Sequence, residues 1–92
     1  MPAPPKSTAA ALKNLGMRMR EVRRARGLTQ EQLASELGML APNYARVEQG
    51  RQNVTIDTVV RVAQVLGVPL SDLFRLPRAR VIPPGRPPKL GR

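Results

Sequence analysis

Residues 30–49 read QEQLASELGMLAPNYARVEQ, and this stretch decides the fold. Two short helical runs meet in it across a bend. Thr29, followed three residues later by Gln32, has the pattern of a capping box and opens the first run, which carries Leu33, Ala34 and Leu37. Gly38 stands where the bend asks for a positive φ, which glycine adopts without the Cβ clash of other residues. Pro42 suits the first turn of the second run, where the missing N–H leaves no helical hydrogen bond unmade. That run continues through Tyr44 and Val47 and stops near Gly50. Ala34 has to be small, because the second helix crosses the first at its level. Leu33, Leu37, Met39, Tyr44 and Val47 are the apolar positions that lock the pair onto its neighbours. Tyr44 is expected as a packed ring with its hydroxyl at the surface, the alternative being a ring that contacts a bound partner.

Outward from this centre the apolar spacing stays helical. Leu12, Leu15, Met19 and Val22 recur at intervals of three and four until Gly27, which predicts a helix from Thr8 to Arg26. Thr55 caps a fourth helix with Ile56, Val59, Val60, Ala63 and Leu66 inward and Gly67 just past its end. A fifth piece from Leu70 to Arg75 adds Leu73 and Phe74. No strand and no repeat is legible, so the fold class is all-α, a five-helix unit. Eight of the ten prolines lie outside its middle, which sets boundaries: a flexible arm over 1–6, the folded domain over 7–76, and a basic Pro-rich tail over 77–92.

At 92 residues the chain supports one small core. Its composition is 41% apolar but only 2% aromatic, so that core is aliphatic, which favours helices over strands. The absence of cysteine excludes a disulfide scaffold, a Cys-based zinc site and a thiol nucleophile. The absence of histidine removes the usual general base and the commonest metal ligand. With no Gly-rich phosphate loop after a strand, these features speak against an enzyme and imply no metal or cofactor. Val59 to Leu70, the most apolar stretch, is interrupted by Arg61 and Gln64 and falls short of the roughly 20 residues that span a membrane. The first ten residues, MPAPPKSTAA, lack the apolar segment of a secretory signal, so a cytoplasmic, nucleoid-associated location is expected. The net charge is +10, and it is uneven: residues 7–74 carry nine basic and six acidic side chains, residues 75–92 six basic and none acidic. Such an excess points to a polyanionic partner, nucleic acid ahead of anionic lipid.

The runs LGMRMREVRRARGLTQEQLASELG and YARVEQGRQNVTIDTVVRVAQVLGVPLSDLF, between Leu15 and Phe74, resemble the phage-repressor and Cro-type helix-turn-helix family, also called the XRE family. The R-x-N-V-T run at Arg51 is similar to that of small controllers of restriction–modification operons. The resemblance implies a lambda-repressor-like domain that binds operator DNA as a homodimer, with the third helix in the major groove, and regulates transcription. It implies phosphate contacts at Thr29 and Gln30, base-reading positions at Leu40, Ala41, Pro42, Asn43 and Arg46, and a backbone-gripping loop at Arg51, Gln52 and Asn53. Leu40, Ala41 and Pro42 depart from the family pattern, in which polar residues are common. Direct readout then falls to Arg46, suited to guanine O6 and N7, and to Asn43, with Leu40 or Ala41 set against a thymine methyl. Arg23 and Glu48 match a structural ion pair joining the first helix to the third. Leu70, Leu73, Phe74 and Leu76 are the expected dimer surface.

In the tail, residues 84–89 contain Gly-Arg-Pro followed by a lysine and resemble the core of an AT-hook, with Arg86 as the minor-groove residue. The alternative is a basic extension that adds affinity through counterion release. Two other functions stand beside the regulator: an antitoxin-type interaction module whose tail folds on a protein partner, and a general nucleoid-type DNA binder.

Overall fold

The computed structural model describes residues 6–78, with side chains from Ser7 onward. Five helices follow one another: α1 (Lys6–Ala25), α2 (Gln30–Leu37), α3 (Ala41–Glu48), α4 (Ile56–Leu66) and α5 (Leu70–Leu73). There is no strand among the described residues, and none of their helices is long and apolar enough to cross a membrane. The helix start at Lys6 is two residues ahead of the expected Thr8, because the alanine-rich run that follows sustains a helix from its first turn.

The end signals operate as the sequence suggests. The Gln32 backbone N–H donates to Thr29 Oγ1 at 3.0 Å, and the Thr29 N–H donates to Gln32 Oε1 at 2.9 Å. At the other end of α2, Gly38 adopts φ 69° and ψ 28°, and the Met39 N–H turns back to the Ala34 carbonyl at 2.9 Å. This left-handed residue satisfies α2's last carbonyls and redirects the chain into α3 within three residues. Three arginines help finish helix ends by donating to backbone carbonyls: Arg61 to Leu37 at 2.8 Å, Arg18 to Asp72 at 2.7 Å and Arg26 to Gly67 at 3.4 Å.

Met19, Val22, Leu33, Ala34, Leu37, Tyr44, Val47, Val59, Val62, Ala63, Leu66 and Leu73 form one core between the helices. Val62, outside the expected inward set of α4, is fully buried, whereas Ile56 is 63% exposed and Val60 only half-buried. Ile56 shares the Val59–Ala63 face by spacing, but it is the first residue of α4 and projects past the edge of the core. A second difference lies at the end of the unit. Pro77 is fully buried and the Arg78 N–H donates to Glu21 Oε2 at 2.7 Å, so packing continues two residues beyond Leu76. Residues 1–5 and 79–92 lie outside the described residues, and with them Arg86 and its AT-hook-like segment.

Candidate nucleic-acid interface

α3 is two-sided. Tyr44, Val47 and Glu48 are buried, while Pro42, Asn43 and Arg46 are exposed, and Leu40 just before them is 71% exposed. Ala41 is half-buried and packs against the core, which leaves it the least available of the five expected base-reading positions. The Leu40 side chain takes no part in capping, so an aliphatic residue stands free at the tip of the helix. Arg46 has no protein partner among the described residues. Thr29 is exposed at the start of α2, and Arg51, Gln52 and Asn53 are exposed in the loop after α3, with Arg51 Nη1 reaching Gln49 Oε1 at 3.3 Å. Among the described residues no group of acidic side chains comes together that could hold a metal ion.

What holds α3 at its angle is a buried polar cluster. Arg23 Nε donates to Glu48 Oε2 at 2.6 Å and Arg23 Nη2 to Glu48 Oε1 at 3.0 Å, a bidentate fit between planar groups. Arg23 Nη1 also donates to the Leu28 carbonyl at 2.8 Å, and Gln30 Nε2 to Glu48 Oε1 at 2.9 Å. One carboxylate thus ties α1, the α1–α2 turn, α2 and α3 together. Burial alone would push the Glu48 carboxyl up, but hydrogen bonds from Arg23 and Gln30 overcome it and hold the group below its ordinary value. The same contact with Glu48 raises the Arg23 guanidinium against the opposing effect of burial. For Gln30 this commits one amide hydrogen to Glu48 and leaves the other without a protein partner among the described residues.

The expectation for Tyr44 fails in one respect. Its ring is packed, yet the hydroxyl is buried too, beside the Glu48 carboxylate, without completing a hydrogen bond of regular geometry. The core encloses the whole side chain, and burial followed by the neighbouring Glu48 charge pushes its phenol well above the ordinary tyrosine range.

The expected dimer surface divides as well. Leu70, Phe74 and Leu76 are exposed, but Leu73 is completely buried, because it is the side chain that anchors α5 to the core. In its place the structure supplies an apolar groove of about 380 Å³ between the first half of α1, the start of α4 and the residues after α5, with Leu12, Val54, Ile56, Phe74 and Leu76 on its walls.

Two close contacts went unnoticed in the sequence. A Cβ on Gly16 would collide with the backbone carbonyls of Val47 and Glu48, and a Cβ on Gly50 would come within 2.6 Å of Lys13 Cα. These glycines let α1 lie directly on the end of α3. A glycine inside a helix otherwise made of good helix formers is the signal that marks Gly16.

A helix-turn-helix domain family model matches residues 14–76. Among curated proteins, the chain is 38% identical over 56 residues to the uncharacterized HTH-type transcriptional regulator y4dJ of Sinorhizobium fredii, covering 61% of this chain and 73% of that one. It is 34% identical over 56 residues to the cryptic phage CTXphi transcriptional repressor RstR of Vibrio cholerae, covering 61% of this chain and half of that repressor. Among solved structures, the restriction-modification controller protein C.AhdI of Aeromonas hydrophila superposes with a TM-score of 0.68 at 37% identity, covering 71% of this chain and 98% of that one. With an exposed α3 held on a buried ion pair, a left-handed glycine between α2 and α3, and a match over most of its length, the chain belongs to the helix-turn-helix family as a DNA-binding domain of the Cro/XRE type.

Proposed function

We propose that this transcriptional regulator binds operator DNA as a homodimer, placing α3 in the major groove of each half-site. The observation that carries the reading is the division of α3: its inward side is spent on the core and the Glu48 cluster, while Asn43 and Arg46 face solvent without a protein partner among the described residues. Arg46 has the fork geometry that pairs with guanine O6 and N7, and Asn43 the amide that pairs with adenine N6 and N7. Leu40 offers an apolar surface to a thymine methyl, with the half-buried Ala41 behind it. The N-terminus of α2, with Thr29 and the free amide hydrogen of Gln30, meets a phosphate on one side, and Arg51, Gln52 and Asn53 meet the backbone on the other.

A single domain makes few base contacts, and two-fold pairing doubles them. The apolar groove beside α5 supports such pairing: Ile56, Phe74 and Leu76 leave large apolar side chains in water around it. The test is selection of binding sites from random duplexes with the full chain. A pseudo-palindrome with half-sites about one helical turn apart is the expected product. Duplexes without any shared sequence would overturn the reading in favour of a general DNA binder.

A further inference from the structure

The cations of α1 have different fates. Arg18 and Arg26 donate to backbone carbonyls and Arg23 is paired with Glu48. Lys13, Arg20 and Arg24 are exposed and, among the described residues, their side chains have neither an acidic nor a backbone partner. Intervals of seven and four residues put the three on one side of the helix. That side borders α3. Each of the three lies within about 80° around the helix axis of Gly16, which touches the α3 backbone, and on the side away from the core residues Met19 and Val22. At one end Lys13 backs onto Gly50, next to Arg51 of the backbone-gripping loop. At the other, Arg24 adjoins Arg23, which is bonded to Glu48 of α3.

Arg20 and Arg24 stand at i and i+4, where like charges repel, and neither makes an ion pair among the described residues, since the neighbouring Glu21 is engaged by Arg18 and the Arg78 N–H. The stripe extends over about 16 Å of helix, enough to face several phosphates of one DNA strand. We propose that Lys13, Arg20 and Arg24 form a phosphate-binding stripe on α1, which grips one backbone strand beside the half-site that α3 enters. The inference rests on the DNA-facing reading of α3 given above. It assigns the stripe affinity without sequence information, since phosphates are the same at every base pair.

The test compares the full chain with its Lys13→Gln/Arg20→Gln/Arg24→Gln variant across a salt series, on a duplex selected by the parent chain. Glutamine is a good helix former and all three sites are exposed, so an unchanged thermal midpoint verifies folding. The slope of log affinity against log salt should become shallower by about 0.9 for each phosphate that is no longer neutralised, up to roughly 2.7 in all. Affinity should fall by a similar factor on every duplex, and the order of preference among half-site base changes should stay the same. Arg26→Gln, an exposed cation just past α1 that leans on the Gly67 carbonyl, is the control and should leave the slope unaltered. An unaltered slope in the triple variant overturns the stripe, as does an Arg26→Gln effect of equal size per charge, which would assign the change to net charge. So does a loss of binding to vesicles of anionic lipid with the DNA slope intact, which would assign the stripe to a membrane surface. If the parent chain selects no shared sequence, the α3 reading falls, and the same slopes on random duplex still decide the stripe.

Discussion

Glu48 brings a negative charge into the interior of α3, and three other side chains are arranged around it. Removing its charge strands Arg23 in a buried site, so Glu48→Gln should cost about 3 kcal/mol of stability in urea unfolding at neutral pH. The pH dependence has a definite sign. The folded carboxyl titrates below its unfolded counterpart, so the pair contributes fully above the ordinary glutamate value of about 4.3 and is lost as the pH falls through the folded value. Urea midpoints measured between about pH 5 and pH 3 should therefore drop more steeply for the parent chain than for Glu48→Gln. Tyr44 gives the opposite expectation. Its hydroxyl is enclosed without a regular hydrogen bond, so Tyr44→Phe should leave stability unchanged or raise it by about 1 kcal/mol, and a clear loss would show that the hydroxyl is bonded after all. At the surface, Arg46→Ala should weaken binding to a selected operator by about 1–3 kcal/mol and relax preference at one base pair of each half-site, read by competition with single-base variants.

Between elements, the decisive contact is the crossing of α1 and α3. By helix propensity alone Gly16→Ala should stabilise α1 by up to about 1 kcal/mol. The structure reverses that sign, because the new methyl meets the Val47 and Glu48 carbonyls, which belong to backbone and have no rotamer to yield. A net loss of about 1–3 kcal/mol is expected, with the thermal midpoint as the measurement and a gain as the refuting result. At this scale the sequence is most legible where the signal is local. Thr29 with Gln32, Gly38, Thr55 and Gly67 each act on their own turn, and all four cap their helices as their order suggests. It is least legible where a helix end meets another element. Ile56 and Leu73 both follow helical spacing, yet Ile56 lies past the rim of the core and Leu73 at its floor.

For the whole molecule, the groove beside α5 is the face on which the proposed pairing depends. Phe74 is 55% exposed and Leu76 62%, and both flank that groove, so Phe74→Asp should prevent pairing while leaving the core intact. Sedimentation at micromolar concentration should show a dimer for the parent chain and a monomer for the variant. Operator affinity should fall with it, because the second half-site is no longer held by the first. A dimer unaffected by Phe74→Asp would move the interface to another face. The charge distribution belongs to this scale too. Arg18, Arg23, Arg26 and Arg61 are engaged in contacts within the fold, which leaves Lys13, Arg20, Arg24 and Arg46 exposed without an ion-pair partner among the described residues.

Most of the fold was determined by order along the chain: which residues cap, where a left-handed glycine turns the backbone, and which positions repeat at helical spacing. Those are short-range properties, written in neighbouring residues, and the Arg23–Glu48 pair became legible only through family resemblance. Which arginines are occupied, which face of α4 reaches water, whether the Tyr44 hydroxyl emerges and how closely α1 approaches α3 were decided by tertiary structure alone. Each depends on atoms far apart in sequence meeting within a few ångströms, and no local pattern specifies that distance.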